Sequence, residues 1–390
     1  MRKIVLIVVL GAILFMQLSL LAGGEEKLPE KKEEKKQWTD NVIIKGDFRY
    51  RHETILEENS PERNRERFRM RIGADAKISD DFKAVFRLAS GGDDPVSTNQ
   101  TLGSSFTSKT IMIDLAYFEW KPTNMKGFCA TGGKVKNPFE TPGKSDLIWD
   151  GDLTLEGMTA SYTFSDSSIA PFVNAGGFWV EERGSAPDSG LLGAQVGLNI
   201  AFSKETKLKL GVGYFDYQHT KGYRAFYGGT TAPFKGFGNS LDAGGNYLND
   251  YDETEVFSEF SFKAGGLPIS IFADFVNNAD ADKNNNGYFI GFSLGKDKEA
   301  GDWLIRYDYR KLERDAVIGA FTDSDCWGGG TNGKGHRISF SVVVAKNTML
   351  GVTAFFDKKD IISIQTIRDS SLIYRSSSND EKSLQNLNKN

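Results

Sequence analysis

The chain has 390 residues, 42 of them Gly and only 10 Pro, with 39% hydrophobic, 12% aromatic and 26% charged residues. That much Gly without a three-residue period excludes collagen and is high for an ordinary globular enzyme, and the hydrophobic content excludes a bundle of transmembrane helices. A formal net charge of −4 with three His argues against nucleic acid as a partner and against a His-rich metal protein.

Arg2 and Lys3 precede an apolar run from Ile4 to Leu21, followed by Ala22, Gly23 and Gly24 before charge begins at Glu25. This layout predicts a signal peptide over residues 1–22, cut near Ala22, and places the protein in the cell envelope. A run of roughly 18 residues also leaves an uncleaved anchor helix open. Residues 23–37 are almost wholly Glu and Lys around Pro29, with no apolar seam, and read as a charged periplasmic linker. No second apolar run follows. A chain that stays in a membrane must then do so as a closed barrel, because open strands leave backbone groups unpaired in lipid.

From Asn41 onward the sequence alternates with a period of two. In 42–51, Val42, Ile44, Gly46, Phe48 and Tyr50 share one face, and Lys45, Asp47, Arg49 and Arg51 the other. In 67–78, Phe68, Met70, Ile72, Ala74, Ala76 and Ile78 oppose Arg67, Arg69, Arg71, Asp75 and Lys77. A helix would scatter both sets around its circumference, so the period predicts strands. Further stretches follow at Phe82–Leu88, Ile111–Trp120, Phe128–Lys136, Met158–Phe164, Ile169–Val180, Leu191–Phe202 and Thr206–Tyr217. Thr254–Ala264, Leu267–Asn277, Tyr288–Gly295, Trp303–Leu312, Gly335–Ala345 and Thr348–Asp357 continue the series, with a last candidate in 361–375. The fold class expected is all-β: an up-and-down antiparallel transmembrane barrel of about 16 strands over residues 38–375.

The connections read alternately long and short. The long ones are 52–66, 91–109, 137–157, 181–190, 218–253, 278–287 and 313–334, and the short ones run from Ser79–Asp81 to Lys346–Asn347. Outer-membrane barrels sort their loops in this way, with short periplasmic turns and longer external loops. Charges such as Arg306, Asp308 and Arg310, or Glu255, Glu259 and Lys263, recur on the polar face. They cannot be packed dry, and about sixteen strands enclose more room than side chains fill. The polar face is therefore expected to line an aqueous lumen, and Tyr50, Trp120, Trp179, Tyr214, Trp303 and Tyr309 to sit in interfacial girdles. Cys129 and Cys326 fall at opposite ends of this arrangement and are expected unpaired.

The stretch Leu312–His336, LERDAVIGAFTDSDCWGGGTNGKGH, resembles a signature of the putative-porin family of outer-membrane channels. So do Arg49–Glu53 (RYRHE), Arg65–Gly73 (RERFRMRIG), Arg87–Ser97 (RLASGGDDPVS), Asn99–Gly103, Lys136–Phe139 (KNPF) and Asp146–Gly151 (DLIWDG). The resemblance runs over about residues 38 to 357. It implies a sixteen-stranded barrel in a Gram-negative outer membrane and passive passage of small hydrophilic solutes or ions, with outer-membrane lipid and lipopolysaccharide around it. A homotrimer and a monomer both stay open. One departure is the C-terminus: after Asp357 the chain is polar and ends on Asn390 without a terminal aromatic, and residues 376–390 read as a disordered tail.

Lys45, Arg49, Arg51, Arg67, Arg69, Arg71, Lys77, Lys83 and Arg87 form a candidate basic wall on the lumen face. Arg is always charged, so the ladder is either a fixed positive surface or a network paired with Asp47, Asp75 and Asp114; both readings stay open. In general porins the third long loop folds into the lumen. Here that loop, Asn137–Gly157, carries Glu140, Asp146, Asp150, Asp152 and Glu156 against Lys144. It is read as a constriction whose acids face the basic wall and set a transverse field, with a solvated external loop as the alternative. The 218–253 loop, rich in Gly, Tyr and Phe, either caps the entrance or lies on the surface.

Other motifs carry less. Asp280-x-Asp282-x-Asn284 lacks the spacing of a calcium loop, and Asp323 with Asp325 beside Gly328–Gly330 reads as a loop held by its own hydrogen bonds. His52, His219 and His336 accompany no nucleophile motif. No catalytic residue, metal ligand or cofactor is expected. A structural or adhesive barrel is the second reading of function, and an outer-membrane hydrolase the third.

Overall fold

The computed structural model describes residues 41–58, 60–164, 167–361 and 367–368. The expected signal peptide, the linker and the 376–390 tail lie outside the described residues. The period-two stretches are strands: β1 Val42–Glu57, β2 Arg63–Lys77, β3 Phe82–Ser90, β4 Gln100–Thr101, β5 Ile111–Trp120, β6 Phe128–Lys136, β7 Thr154–Thr163, β8 Ile169–Glu181 and β9 Ser189–Ala201. They continue as β10 Lys207–Gln218, β11 Tyr251–Ala264, β12 Leu267–Asn278, β13 Asn286–Gly295, β14 Trp303–Leu312, β15 Gly333–Ala345, β16 Thr348–Lys359 and β17 Ile367–Arg368.

Each strand pairs antiparallel with the next from β1 to β16, except that the two-residue β4 sits on β2 and β3 passes directly to β5. β17 pairs with β1 through Leu56↔Arg368 and Glu57↔Ile367. Leaving β4 aside, sixteen strands stand in up-and-down order, and the last returns to the first. Those two pairs bring the last strand back to the first, and a closed ring is what leaves no strand edge unpaired in a membrane.

Exposure alternates with the pleat. Ile44 and Phe48 are 70% and 52% exposed, whereas Arg49 and Arg51 on the other face are 6% and 2% exposed. An outward band of Ile, Val, Leu and Phe is the lipid-facing surface of a membrane barrel, and the charged face is the inner one. Trp179, Tyr50, Tyr214 and Trp303 are exposed on that outer surface.

Two expectations change. The connection after β1 is 58–62 rather than 52–66, because the β1–β2 ladder continues to Ile55↔Arg63 while the inward Glu53 takes ion pairs from Arg65 and Arg67. Loop length therefore marks one end of the barrel only through 91–110, 137–153, 219–250 and 313–332. The inner face is also not polar all round. Phe178, Phe215, Tyr217, Phe272 and Phe289 point inward and pack with Phe139, Leu147, Trp149, Phe226, Val317, Ile318 and Trp327 from three of those loops. Part of the lumen is thus a hydrophobic core built by loops turned inward. Cys129 on β6 and Cys326 in the 313–332 loop are free thiols.

Candidate functional site

Lys45, Arg49, Arg51, Arg67, Arg69, Arg71, Lys83 and Arg87 of β1, β2 and β3 lie on the inner face, each against a polar partner. Lys45 and Lys83 share Asp75 at 3.1 and 3.4 Å, and Lys83 also reaches Glu119 at 3.1 Å. Arg69 and Arg71 take opposite oxygens of Asp47 at 3.0 and 2.7 Å. Arg67 lies 3.2 Å from Glu53, Arg49 donates to Asn99 Oδ1 at 2.6 Å, and Arg87 pairs with Asp114. Arg51 bridges Glu53 at 2.5 Å and Asp325 at 2.9 Å. Guanidinium groups can hold two carboxylates at once because their donors are fixed in a plane. The result is a lattice of alternating charge.

The 137–153 loop crosses the space that the strands enclose. Asn137 Oδ1 accepts from the Phe139 backbone N–H at 3.0 Å and turns the chain inward. A tight turn at Pro142–Lys144 then places Gly143, with φ +54°, against the Phe272 ring of β12. A side chain there would overlap the ring, so the position requires Gly. Gly143 N–H donates to Glu259 of β11 at 2.8 Å, and its carbonyl accepts from Arg306 of β14. Glu140 pairs with Lys209 of β10. Asp146 meets Arg337 of β15 at 3.4 Å. At the far end, Asp152 reaches Arg69 and Arg71 of β2 at 3.2 and 3.6 Å, and its other oxygen accepts from Thr98 Oγ1 at 3.0 Å.

The 313–332 loop fills much of what remains. Asp323 pairs with Arg310 at 2.6 Å, and Asp325 with Arg51 as above. Trp327 N–H donates to Asp357 of β16 at 2.8 Å. The loops also hold one another. Asp150 N–H donates to the Phe321 carbonyl at 2.8 Å, and Ser324 N–H to Asp150 Oδ2 at 3.0 Å. Asn239 of the 219–250 loop donates to the Arg314 and Val317 carbonyls at 2.8 Å and accepts from Gly319 N–H at 2.7 Å.

Burial drives the loop carboxyls in different directions. Asp150 is pushed well up by burial and by the neighbouring Asp146, Asp323 and Asp152. Asp146 is raised by burial and by Asp323 in spite of Arg337. Burial also acts on Asp152 and Asp325, but Arg69 and Arg71 in one case, and Arg51 in the other, outweigh it and hold both below the usual carboxylate range.

Two residues from the expected set stand elsewhere. Lys77 pairs with the exposed Asp80 in the turn after β2, at 2.7 Å and away from the wall. Glu156 belongs to β7 and is 63% exposed beside Lys134 at 2.9 Å. The pleat sends Leu155 into the core and Glu156 outward. Conversely, Asp323, Asp325, Trp327, Arg337 and Trp149 belong to the arrangement and were not singled out as its members. The apolar run Ala316–Ala320 inside a supposedly exposed loop is the signal that points to burial, as is Leu147–Trp149.

A loop that reaches β2, β10, β11, β14 and β15 at once must run through the interior of a ring of strands. The sequence matches the family described as putative porin over residues 51–234 and 230–363. The chain belongs to the putative porin family. The fold of this porin is similar to that of OprB from Pseudomonas putida, with a TM-score of 0.60 at 12% identity over 87% of this chain and 94% of that one. It is also similar to OmpF from Salmonella typhi, with a TM-score of 0.51 at 10% identity over 87% and 99%. These identities speak for the shared fold. No curated protein matches the sequence. The porin is an outer-membrane β-barrel that forms a channel for passive diffusion.

Proposed function

We propose that small hydrophilic solutes cross this porin along the polar side of the lumen, between the basic residues of β1, β2, β3 and the acidic edge of the inward loops. The observation that carries this reading is the contact of Asp152 with Arg69 and Arg71, where the 137–153 loop meets the opposite wall. Together with Arg51–Asp325 and Arg337–Asp146, it draws the narrowest ring of the path. These side chains stay partly open to solvent: Arg71, Asp152, Asp325 and Arg337 keep 15–23% of their side-chain surface. The aromatic side of the lumen is packed and offers no route.

The sign of selectivity follows from what lines that side. Arg49, Arg51, Arg65, Arg67, Arg69, Arg71 and Arg87 outnumber Asp47, Glu53, Asp114, Asp152 and Asp325, so the path favours anions. The function proposed is passage without catalysis. Single-channel recording of the refolded protein in a planar bilayer under a KCl gradient tests it. Discrete openings with a reversal potential on the anion side are expected. Cation preference would transfer control to the loop acids, and a folded but silent barrel would favour a structural or adhesive role in the envelope.

A further inference from the structure

We propose that the outward face of β14, β15 and β16 carries, at the rim where the long loops emerge, a docking row for the phosphorylated head group of an outer-leaflet glycolipid. The inference rests on the outer-membrane location and not on conductance. The register places Lys311 opposite Lys334, and Lys334 opposite Lys358. All three alternate with inward residues (Leu312, Gly333 and Asp357 are buried), so they share the lipid-facing side. Neighbouring strands lie about 4.8 Å apart, which sets the three lysines side by side across about 10 Å of sheet.

Like charges directly opposite one another on a sheet are destabilising. Several other strand lysines meet acids: Lys45 with Asp75, Lys83 with Glu119, Lys134 with Glu156 and Lys209 with Glu140. In the row, Lys311 has Glu313 at 2.7 Å. Lys334 and Lys358 have no acid within ion-pair distance among the described residues. A phosphate, with several acceptor oxygens, neutralises adjacent ammonium groups that have no protein partner.

The tier below fits the rest of such a lipid. Tyr309, His336 and Phe356 are the next outward residues on the same three strands. Tyr309 and His336 rings stand 4.8 Å apart, and Tyr307 Oη and His336 Nδ1 are 2.9 Å apart, which fixes the imidazole. Rings with an apolar body and a polar tip suit the boundary between head group and acyl chain. One turn of the pleat further in, Ile338 and Phe340 are exposed to the chains themselves. Cation above, aromatic between and aliphatic below match a phosphorylated glycolipid standing upright in the outer leaflet.

The test is native mass spectrometry of the full chain in detergent, titrated with bis-phosphorylated lipid A. Lys334→Gln with Lys358→Gln is the variant, and Lys235→Gln, in an exposed loop, is the control. At about 1 kcal/mol per lysine near a charged lipid surface, the double variant should bind about thirtyfold more weakly at low salt. The control should bind as the parent does, and dephosphorylated lipid A should bind parent and double variant equally. Equal lipid A binding by parent and double variant would overturn the proposal. Equal binding of phosphatidylglycerol and lipid A by the parent would overturn the glycolipid assignment. Heat-modifiable mobility on gels shows that the variant is folded. Its unchanged single-channel conductance separates loss of this site from failure of the channel reading.

Discussion

Trp149 Nε1 donates to Tyr217 Oη at 3.0 Å, with both side chains almost wholly buried. This bond ties the 137–153 loop to the inner wall at β10. Around it the Trp149 ring stands 5.3 Å from Phe139 and 4.5 Å from Phe215. The loop is held by packed aromatics on one side and by the ion pairs of Asp152 on the other. Tyr217→Phe leaves a buried indole N–H without an acceptor, at about 1–3 kcal/mol. Trp149→Ala opens a cavity at about 3–5 kcal/mol. Single-channel recordings should show larger and noisier currents for Trp149→Ala than for Tyr217→Phe, and unchanged currents in both would remove this loop from the path.

Asp152 offers a test of charge at the narrow ring. Asp152→Asn keeps the shape and leaves Arg69 and Arg71 with Asp47 as their carboxylate partner. A unit charge about 4 Å from a passing ion is worth about 1 kcal/mol in water. Removing it favours an anion and disfavours a cation by about that amount each, so the anion-to-cation permeability ratio, read from the reversal potential, should rise about thirtyfold. Arg69→Gln should move it the other way.

Arg310 and Asp323 form a pair whose side chains are only 2% and 9% exposed. Removing Arg310 leaves Asp323 with only the more distant Arg337, at 3.7 Å, in the packed interior, and breaking such a buried pair costs up to about 3–5 kcal/mol. Arg310→Met should lower the urea midpoint and free the 313–332 loop to proteolysis. The double replacement Arg310→Met with Asp323→Leu should recover most of the loss, since matched apolar groups need no solvation there.

Asp150 sets the sign of a pH effect. Its folded-state pKa lies well above the unfolded value near 3.8, because burial and then Asp146 and Asp323 oppose ionisation. The folded state binds the proton more tightly, so stability from this group is present below the unfolded pKa and lost as pH rises through the folded one. Asp325 runs the opposite way: Arg51 holds it low, and its contribution is lost only in strong acid. Urea midpoints should increase from pH 8 to pH 5 in the parent protein and increase less in Asp150→Asn, which cannot ionise. Equal slopes would place the proton elsewhere.

The strands and their order were legible from residue types alone, because a sheet with lipid on one face and water on the other forces a period of two on every segment. The runs of Ile, Phe and Val opposite Arg and Asp in 42–51 and 67–78 record that environment directly. Both faces of β1 and β2 could therefore be assigned without coordinates, as could the free state of Cys129 and Cys326. What the three inward loops do was decided only by tertiary structure. Asp152 and Glu156 look alike in sequence, yet the start of β7 at Thr154 sends one to Arg69 and the other to Lys134 on the outer surface. Asp323 and Asp325 meet Arg310 and Arg51 because the apolar run Ala316–Ala320 is driven out of water into the lumen, across as many as 274 residues of chain. Contacts at that separation depend on where a closed ring places its opposite walls, and no local pattern carries that distance.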